Sequence, residues 1–578
     1  MTFVLVAVNA KFIHTSAAVR TLTAYAVAQG APSVAVREFT INRDEGFIAS
    51  ELFHMQPNAV FFSCYIWNIN IIRRVARTLR KVLPGVRIVF GGPEASYEYD
   101  ELLEVADIIA IGEGEQTFVN LLSHMENGTP ALAEIAGIAY RENGETRFMG
   151  YVEPLDLQNI PFMYDENNLA GCANRIIYYE ASRGCPFNCQ YCLSSVERGV
   201  RFLPLARVFE DLAFFLRHKV KQVKFIDRTF NANPSRALEV CRFLMANDNG
   251  VTNFHFEVAA ELLDAPLVEC FCAARAGLFQ LEIGVQSTNA QTLTEVRRSN
   301  DFDKLAHAVG EIRAAKRTHL HLDLIAGLPG EDYISFARSF NEVYALVPHQ
   351  LQLGFLKLLK GSGLRRDAAK FGIVYDDDAP YEVLATNVLP HADVLRLKGV
   401  ENMLDMFGNA GHFARTIAHL VGLYDSPFVF FESLSAFWRA HGDHEISHSR
   451  TQMYARLRAF CEENCPAALR MVTDLLLFDM LCVDNAALSG WMQVCEPDAA
   501  VARRFFDSTP IEKYAPHLAK FSANRMHRVC RLVRLAHDVD TGEAQETYYL
   551  FDYHAPNGVA AYNVTNDVRE SAKGGQQA

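Results

Sequence analysis

The chain has 578 residues, half of them hydrophobic and 21% charged. That composition excludes a mainly disordered polypeptide, and at roughly 100–200 residues per domain it leaves room for about three or four domains. Fifty-five Lys plus Arg against 68 Asp plus Glu leave a net charge of −13, which argues against a general nucleic-acid or anionic-membrane binder while leaving room for a local basic patch.

Phe3–Val8 is a continuous apolar run and reads as a buried strand, and Thr15–Ala28 has helical spacing. Strand and helix then alternate through Val34–Phe39, Glu45–Met55, Ala59–Phe62, Ile69–Leu83, Val86–Phe90, Ile108–Ile111 and Glu115–Met125. The alternation predicts an α/β, doubly wound sheet of the flavodoxin-like or Rossmann kind over residues 1–150, with ligands at the carboxyl ends of its strands. Those ends carry His14, Ser63, the pair Gly91-Gly92, and Glu113. The two glycines suit a tight strand-to-helix turn as well as a close ligand. No Gly-x-Gly-x-x-Gly follows the first strand, which argues against a dinucleotide site. Ala131–Gly150 reads as a hairpin turning at Asn143-Gly144, and 151–174 as a linker.

Taken in order, Ser63, Gly91 and Gly92 make the first 125–150 residues resemble the cobalamin-binding domain found ahead of radical enzymes. The resemblance implies that these three residues line the slot for the cobalamin nucleotide tail, with Glu113 nearby, and that His14 stands near the place of a cobalt ligand. The methionine-synthase-like pattern Asp-x-His-x-x-Gly is replaced here by Phe12-Ile13-His14-Thr15-Ser16-Ala17. His14 therefore lacks the partner that would orient its ring. A polar helix-start residue, with a cobalt that takes no protein ligand, is the alternative.

Thirteen cysteines cannot all pair, and a chain of this length needs no disulfide staples. Met1–Val8 lacks the basic segment and cleavage site of a secretory signal, and no run of about 18 apolar residues suggests a membrane span, so a reducing, cytoplasmic compartment is expected. After an apolar strand, Arg175–Glu180, the loop Cys185-Pro186-Phe187-Asn188-Cys189-Gln190-Tyr191-Cys192 spaces three thiols as C-x3-C-x2-C. Three thiolates on one loop can hold three irons of a 4Fe-4S cubane and leave the fourth iron open. A zinc site would need a fourth ligand, and none stands at zinc-finger spacing.

Further strands follow at Val223–Ile226, Asn253–Ala259, Leu278–Val285, Leu320–Ile325 and Leu351–Leu356, with helical segments between them. With Ile176–Tyr179 they predict a central partial (β/α)6 barrel over 175–370, its site at the strand carboxyl ends. Glu257, Glu282 and Asp323 end three of these strands, where unpaired burial of a carboxylate is costly. Convergence on one mouth would let them bind ribose hydroxyls, an ammonium group or a substrate.

With Tyr191 before the last cysteine, the loop resembles the signature of the radical S-adenosylmethionine (SAM) superfamily. The segments Glu282–Ser287 and Asp323–Glu331 resemble its coproporphyrinogen-dehydrogenase-like branch. The resemblance implies that Cys185, Cys189 and Cys192 ligate the cluster and that Tyr191 lies near the adenine. It places Glu282, Gln286, Ser287 and Gly327 on the SAM side with Glu257 and Asp323. Asp227 falls in the position of the loop that binds the methionyl amine, although no Gly-Gly-Glu is present. The implied enzyme cleaves SAM to a 5′-deoxyadenosyl radical and uses cobalamin to methylate an unactivated carbon or phosphorus centre. Its partners would be a small-molecule or peptide substrate and a reductant such as flavodoxin or ferredoxin. Two alternatives stay open: a non-methylating cobalamin-dependent rearrangement, and a cobalamin or iron–sulfur sensor or electron-transfer module, which would need no open iron.

Beyond Phe371 the pattern turns mostly α, with helices expected at Thr386–Phe407, Ala414–Leu423, Phe430–Ala440, Thr451–Phe460 and Pro466–Met480 and one strand near Phe551–Ala555. The region 371–578 resembles an uncharacterised C-terminal domain of one group of cobalamin-binding radical enzymes. His441, His444 and His448 have ligand-like spacing but read as a loop, and Cys461 and Cys465 read as buried thiols rather than a second cluster. Asn566–Ala578 reads as a frayed end.

Overall fold

The fold is a computed structural model that describes residues 1–196, 199–485, 487–509, 511–519, 521, 523–556 and 558–574. It forms two compact units, Met1–Val394 and Leu395–Ala578.

The first unit opens with β1 (Phe3–Asn9), β2 (Val34–Thr40), β3 (Ala59–Ser63), β4 (Arg87–Gly91) and β5 (Ile108–Ala110). They lie parallel in the order β2-β1-β3-β4-β5, and an antiparallel hairpin, β6 (Ile138–Glu142) and β7 (Glu145–Phe148), extends the sheet beyond β5. Helices cover both faces, so the strands are apolar on both. Val4, Val6 and Val8 pack with Ile48, Leu52 and Ile72 on one side. Phe3, Leu5 and Ala7 pack with Tyr25 and Phe118 on the other. Strand order reverses between β1 and β3, the place where such sheets open a ligand crevice, and the loops there carry His14 and Ser63.

The second sheet runs β15-β14-β13-β12-β11-β8, all parallel. Its strands are β8 (Ile177–Tyr179), β11 (Gln222–Phe225), β12 (Asn253–Val258), β13 (Phe279–Gln286), β14 (His319–Ala326) and β15 (Gln350–Phe355). This is the expected partial barrel, with β8 and β15 as its edges. Between β8 and β11 a short hairpin, β9 (Ser182–Cys185) and β10 (Gly199–Phe202), brackets the three-cysteine loop. Residues 371–394 stay with this unit because Ile373, Tyr381 and Val383 bury against Leu356, Leu358 and Leu364. The packing boundary therefore falls about two dozen residues after the one expected from sequence. Two short strands in that stretch, β16 (Val374–Tyr375) and β17 (Val383–Ala385), pair antiparallel.

The helix His391–Met403 runs into the second unit, which continues with the helices Ala414–Val421, Pro427–Ala440, Arg450–Asn464 and Leu469–Leu481, close to the expected spans. It ends in an antiparallel sheet of β18 (Cys530–Leu535), β19 (Thr547–Asp552) and β20 (Ala560–Asn563). Its apolar residues Leu532, Tyr548 and Leu550 pack with Phe505, Val564 and Val568. Only one of these three strands was expected. The segment expected to fray is a helix over Thr565–Gly574, and 575–578 lie outside the described residues. His441, His444 and His448 do not converge: His441 faces Glu463, His444 faces Glu445, and His448 and Arg456 both turn to Asp443. Among the described residues no helix is long and apolar enough to cross a membrane.

Candidate active site

The two parallel sheets differ in how they meet their surroundings. In the barrel, apolar and polar residues alternate: Phe254, Phe256, Leu281, Ile283, Leu320 and Leu322 are buried against the helices, so the intervening His255, Glu257, Glu282, His321 and Asp323 fall on the other, concave face. A cavity of about 240 Å³ opens there at the carboxyl ends of the strands. Its walls include Cys185, Cys189 and Cys192 together with Tyr191, Glu257, Glu282, Gln286 and Asp323.

The cysteine loop is tethered at its middle. Gln190 N donates to Val296 O and Leu364 N donates to Gln190 O, each at 2.9 Å. A Cβ at Gly363 would come within 2.1 Å of Gln190 Oε1, so a larger residue there would displace that side chain. Cys185 Sγ lies 3.5 Å from Thr229 Oγ1, and Arg298 Nη1 donates to Cys189 Sγ at 3.7 Å. Burial pushes the Cys189 thiol up, and the Arg298 charge works against that. Among the described residues no three His, Cys, Asp or Glu side chains converge on one point as a single metal ion requires. Three thiols spread around one cavity suit a larger iron–sulfur cluster instead.

The concave face is an ion network. Lys224 Nζ lies 2.8 Å and His255 Nε2 3.0 Å from Glu282 Oε2, and His321 Nε2 lies 3.0 Å from Asp323 Oδ1. Burial would raise the Glu282 carboxyl, but the adjacent His255 ring and the Lys224 ammonium outweigh it and hold the group well below the usual range. Burial pushes Glu257 up to about 7, and the neighbouring Glu282 charge adds to the effect. Two carboxyls paired in register across β12 and β13 are thus held in opposite protonation preferences. Gln286 takes a left-handed backbone, φ 69°, at a bulge in β13, and its buried Oε1 has no protein partner. A Cβ at Gly284 would fall 2.1 Å from Gln286 Nε2. Backbone strain of this kind gathers where a side chain must be aimed.

Three residues expected on the SAM side face elsewhere. Asp227 accepts from Ala181 N at 2.8 Å and from Ser182 Oγ, tying β11 to the start of β9, and burial pushes its carboxyl up to about 7. Ser287 donates to Glu331 at 2.7 Å. Gly327 abuts Val383, whose Cγ1 would lie 2.7 Å from an added Cβ. In their place Arg228, Thr229, Arg298 and Phe187 line the cavity. Arg228 and Thr229 directly follow Asp227 and could have been found there. Arg298, Lys224, His255 and His321 carry no spacing signal, because only the strand register brings them to the site.

On the first sheet, Ser63 and Gly91 are paired in register. Gly92, at φ 108°, packs so closely on the segment that follows β3 that a Cβ would lie 2.6 Å from Cys64 O. The glycine pair thus has a reason inside the fold as well as toward a ligand. His14 does have an orienting partner, and it comes from the barrel: Tyr178 Oη and His14 Nδ1 share a 2.7 Å hydrogen bond. Burial, with Lys11 and Lys224 nearby, lowers the His14 pKa and favours the neutral ring.

Glu113 is already engaged. Arg183, two residues before Cys185, pairs with Glu113 at 3.1 Å and with Glu115 at 2.8 Å, and Arg201 on β10 also pairs with Glu113. The hairpin that carries the cysteine loop is thereby clamped to the carboxyl end of the first sheet. A second tie joins Lys360 to Glu94 at 3.2 Å, with the Tyr381 hydroxyl also on Glu94.

Residues 4–122 match the model of the B12 binding domain, and residues 179–343 match the radical SAM superfamily. Residues 369–551 match a family described as a protein of unknown function, DUF4080. The cobalamin-dependent radical SAM methyltransferase TokK of Streptomyces tokunonensis is 26% identical over 316 residues, 50% of this chain and 44% of that protein. The 2-(S-pantetheinyl)-carbapenam-3-carboxylate methyltransferase of Streptantibioticus cattleyicolor is 23% identical over 451 residues, 70% of this chain and 64% of that protein. The chain therefore spans less than two thirds of either relative. The structure of the radical SAM methyltransferase TsrM from Kitasatospora setae, with cobalamin and a 4Fe-4S cluster bound, superposes with a TM-score of 0.53 at 14% identity. That match covers 66% of this chain and 79% of TsrM, a likeness of fold. The chain thus combines an amino-terminal region that matches the B12 binding domain with a central region that matches the radical SAM superfamily.

Proposed function

We propose that the protein is a cobalamin-dependent radical SAM enzyme that methylates an unactivated carbon or phosphorus centre of a small-molecule or peptide substrate. The observation that carries this reading is the direct clamp, Arg183 and Arg201 on Glu113 and Glu115, between the cysteine hairpin and the first sheet's ligand edge. Two cofactors that act on one substrate must be held at fixed separation, and these ion pairs do that. Two methyltransferase relatives, matching 50% and 70% of the chain, support the same reading.

When bound, the cluster and cobalamin supply one-electron cleavage of SAM and a transferable methyl group. Cys185, Cys189 and Cys192 would hold the cluster, and Arg298 would place positive charge beside it. Tyr191 would wall the adenine. Glu282, kept ionised by Lys224 and His255, can accept from ribose hydroxyls or an ammonium group. Gln286 would offer its unpartnered Oε1 to a SAM or substrate donor. Ser63, Gly91 and Gly92 would line the cobalamin tail, and His14, its Nδ1 held by Tyr178, would be the candidate cobalt ligand.

The test is anaerobic reconstitution with iron, sulfide and cobalamin, followed by SAM and a one-electron reductant such as flavodoxin or ferredoxin. Deoxyadenosine and S-adenosylhomocysteine should both form, the second only with cobalamin. Deoxyadenosine formation that persists in Cys185→Ala would overturn the radical reading, and S-adenosylhomocysteine formation that does not depend on cobalamin would overturn methyl transfer.

A further inference from the structure

The second unit contains two thiols that no part of this chemistry uses. Cys461 lies in the last turn of the helix Arg450–Asn464, and Cys465 is the residue that ends it. Their sulfurs are 3.4 Å apart, with Cys465 Sγ donating to Cys461 Sγ. A disulfide needs about 2.05 Å and a Cα separation of roughly 4.4–6.8 Å, which residues four apart in a helix satisfy. The remaining approach is a side-chain rotation at a residue outside the helix: Cys465 has φ −145° and ψ 57°.

The two thiols are also unequal in the way an exchange reaction requires. Cys461 is fully buried and Cys465 is partly exposed. A small disulfide in solvent can reach Cys465 but not Cys461. When Cys465 loses its proton, the Cys461 thiol 3.4 Å away can turn to donate to it, which lowers the Cys465 pKa and favours the thiolate, the form that attacks. Cys241 and Cys270 in the barrel provide a contrast: they also neighbour each other, but both are buried, so no outside disulfide reaches either sulfur.

We propose that Cys461 and Cys465 are a redox-active dithiol that exchanges with low-molecular-weight disulfides of the glutathione class. In the first step the Cys465 thiolate attacks the small disulfide, forms a mixed disulfide and releases one small thiolate. In the second, the released small thiolate takes up the Cys461 proton, and Cys461 attacks Cys465 Sγ, closing the protein disulfide and releasing the second small thiolate. Two protein thiols are oxidised and one disulfide is reduced to two thiols, so the electrons balance.

The test is made on the full chain with Cys185, Cys189 and Cys192 all changed to Ala, so that cluster ligands do not enter the readout, and repeated on the wild-type chain. The protein is equilibrated with oxidised and reduced glutathione at graded ratios, alkylated, digested and analysed by mass spectrometry. The expected result is a peptide linking Cys461 to Cys465, two hydrogens lighter than the dithiol and restored by dithiothreitol. Cys461→Ser should trap glutathione on Cys465, and Cys465→Ser should leave Cys461 unmodified. Full alkylation of both residues at the most oxidising ratio would overturn the proposal. So would glutathione that accumulates on Cys465 of the wild-type pair without resolution.

Discussion

The two parallel sheets of the first unit use the same alternation of strand and helix to make opposite surfaces. In the amino-terminal sheet helices lie on both faces, so β1 is buried at every residue. Chemistry there is confined to loops at the strand ends. In the barrel, helices cover one face only, and β13 alternates buried and part-exposed residues along its whole length. The concave face is thereby available for Lys224, His255, Glu282, His321 and Asp323. A sheet sandwiched by helices can hold a cofactor at its edge, whereas a curved sheet with one free face can enclose one. The clamp at Glu113 brings edge and enclosure together.

The largest expected effect comes from removing what the enclosure would hold. Cys185→Ala should lower bound iron and bring SAM cleavage to background, measured by iron analysis and chromatography of deoxyadenosine. The next effect breaks the sandwiched sheet: Phe62, 2% exposed and edge-on to Phe90, should cost about 3–5 kcal/mol when changed to Ala, read from urea unfolding. The same measurement on the concave face should give the opposite pattern. Glu257→Gln should not lower the unfolding free energy, and above about pH 7 should raise it, because a buried carboxyl raised to about 7 no longer has to ionise; it should weaken SAM binding about tenfold, or about 1.4 kcal/mol. A large stability loss in Glu257→Gln would erase the distinction between the sheets.

Two smaller effects sharpen it. Arg201→Ala loosens the clamp without touching the cavity, so deoxyadenosine formed per methylated product should rise severalfold while bound iron stays constant. Asp227→Asn tests the buried acid that joins β11 to β9. Its folded pKa of about 7 lies above the ordinary Asp value. Across that interval the folded protein keeps a proton the unfolded chain has released. Stability therefore falls as pH rises through the interval and levels off above it. Glu257 and Glu331, also raised to about 7 by burial, act in the same direction. Glu282, held low by His255 and Lys224, contributes stability that is lost only on strong acidification. Unfolding midpoints measured against pH should show a shallower decline in Asp227→Asn than in the parent.

How far a residue was legible depended on whether its role is local. The strands and helices of the first sheet follow from unbroken apolar runs, and the cysteine loop follows from spacing within eight residues. Glu257, Glu282, Gln286 and Asp323 could be named because each ends a strand whose alternation is plain. Asp227 and Ser287 end strands in the same way, yet they turn to Ser182 and Glu331, because their hydrogen-bond partners are set by neighbouring loops. The carboxyl-terminal sheet was mostly missed, since β18 is interrupted by Arg531 and Arg534, β20 is only four residues long, and both pack on Phe505 and Phe506 from a separate helix.

The sequence by itself determined the two α/β architectures, the three-cysteine loop and the polar stripe of the barrel strands, because periodicity and spacing are properties of neighbouring residues. Only the tertiary structure decided which side chains share a site. It set Tyr178 against His14, Arg298 against Cys189 and Arg183 against Glu113, pairs separated by 70 to more than 160 positions in the chain. Contacts of that range are fixed by strand register and domain docking, and no local pattern in the chain records either.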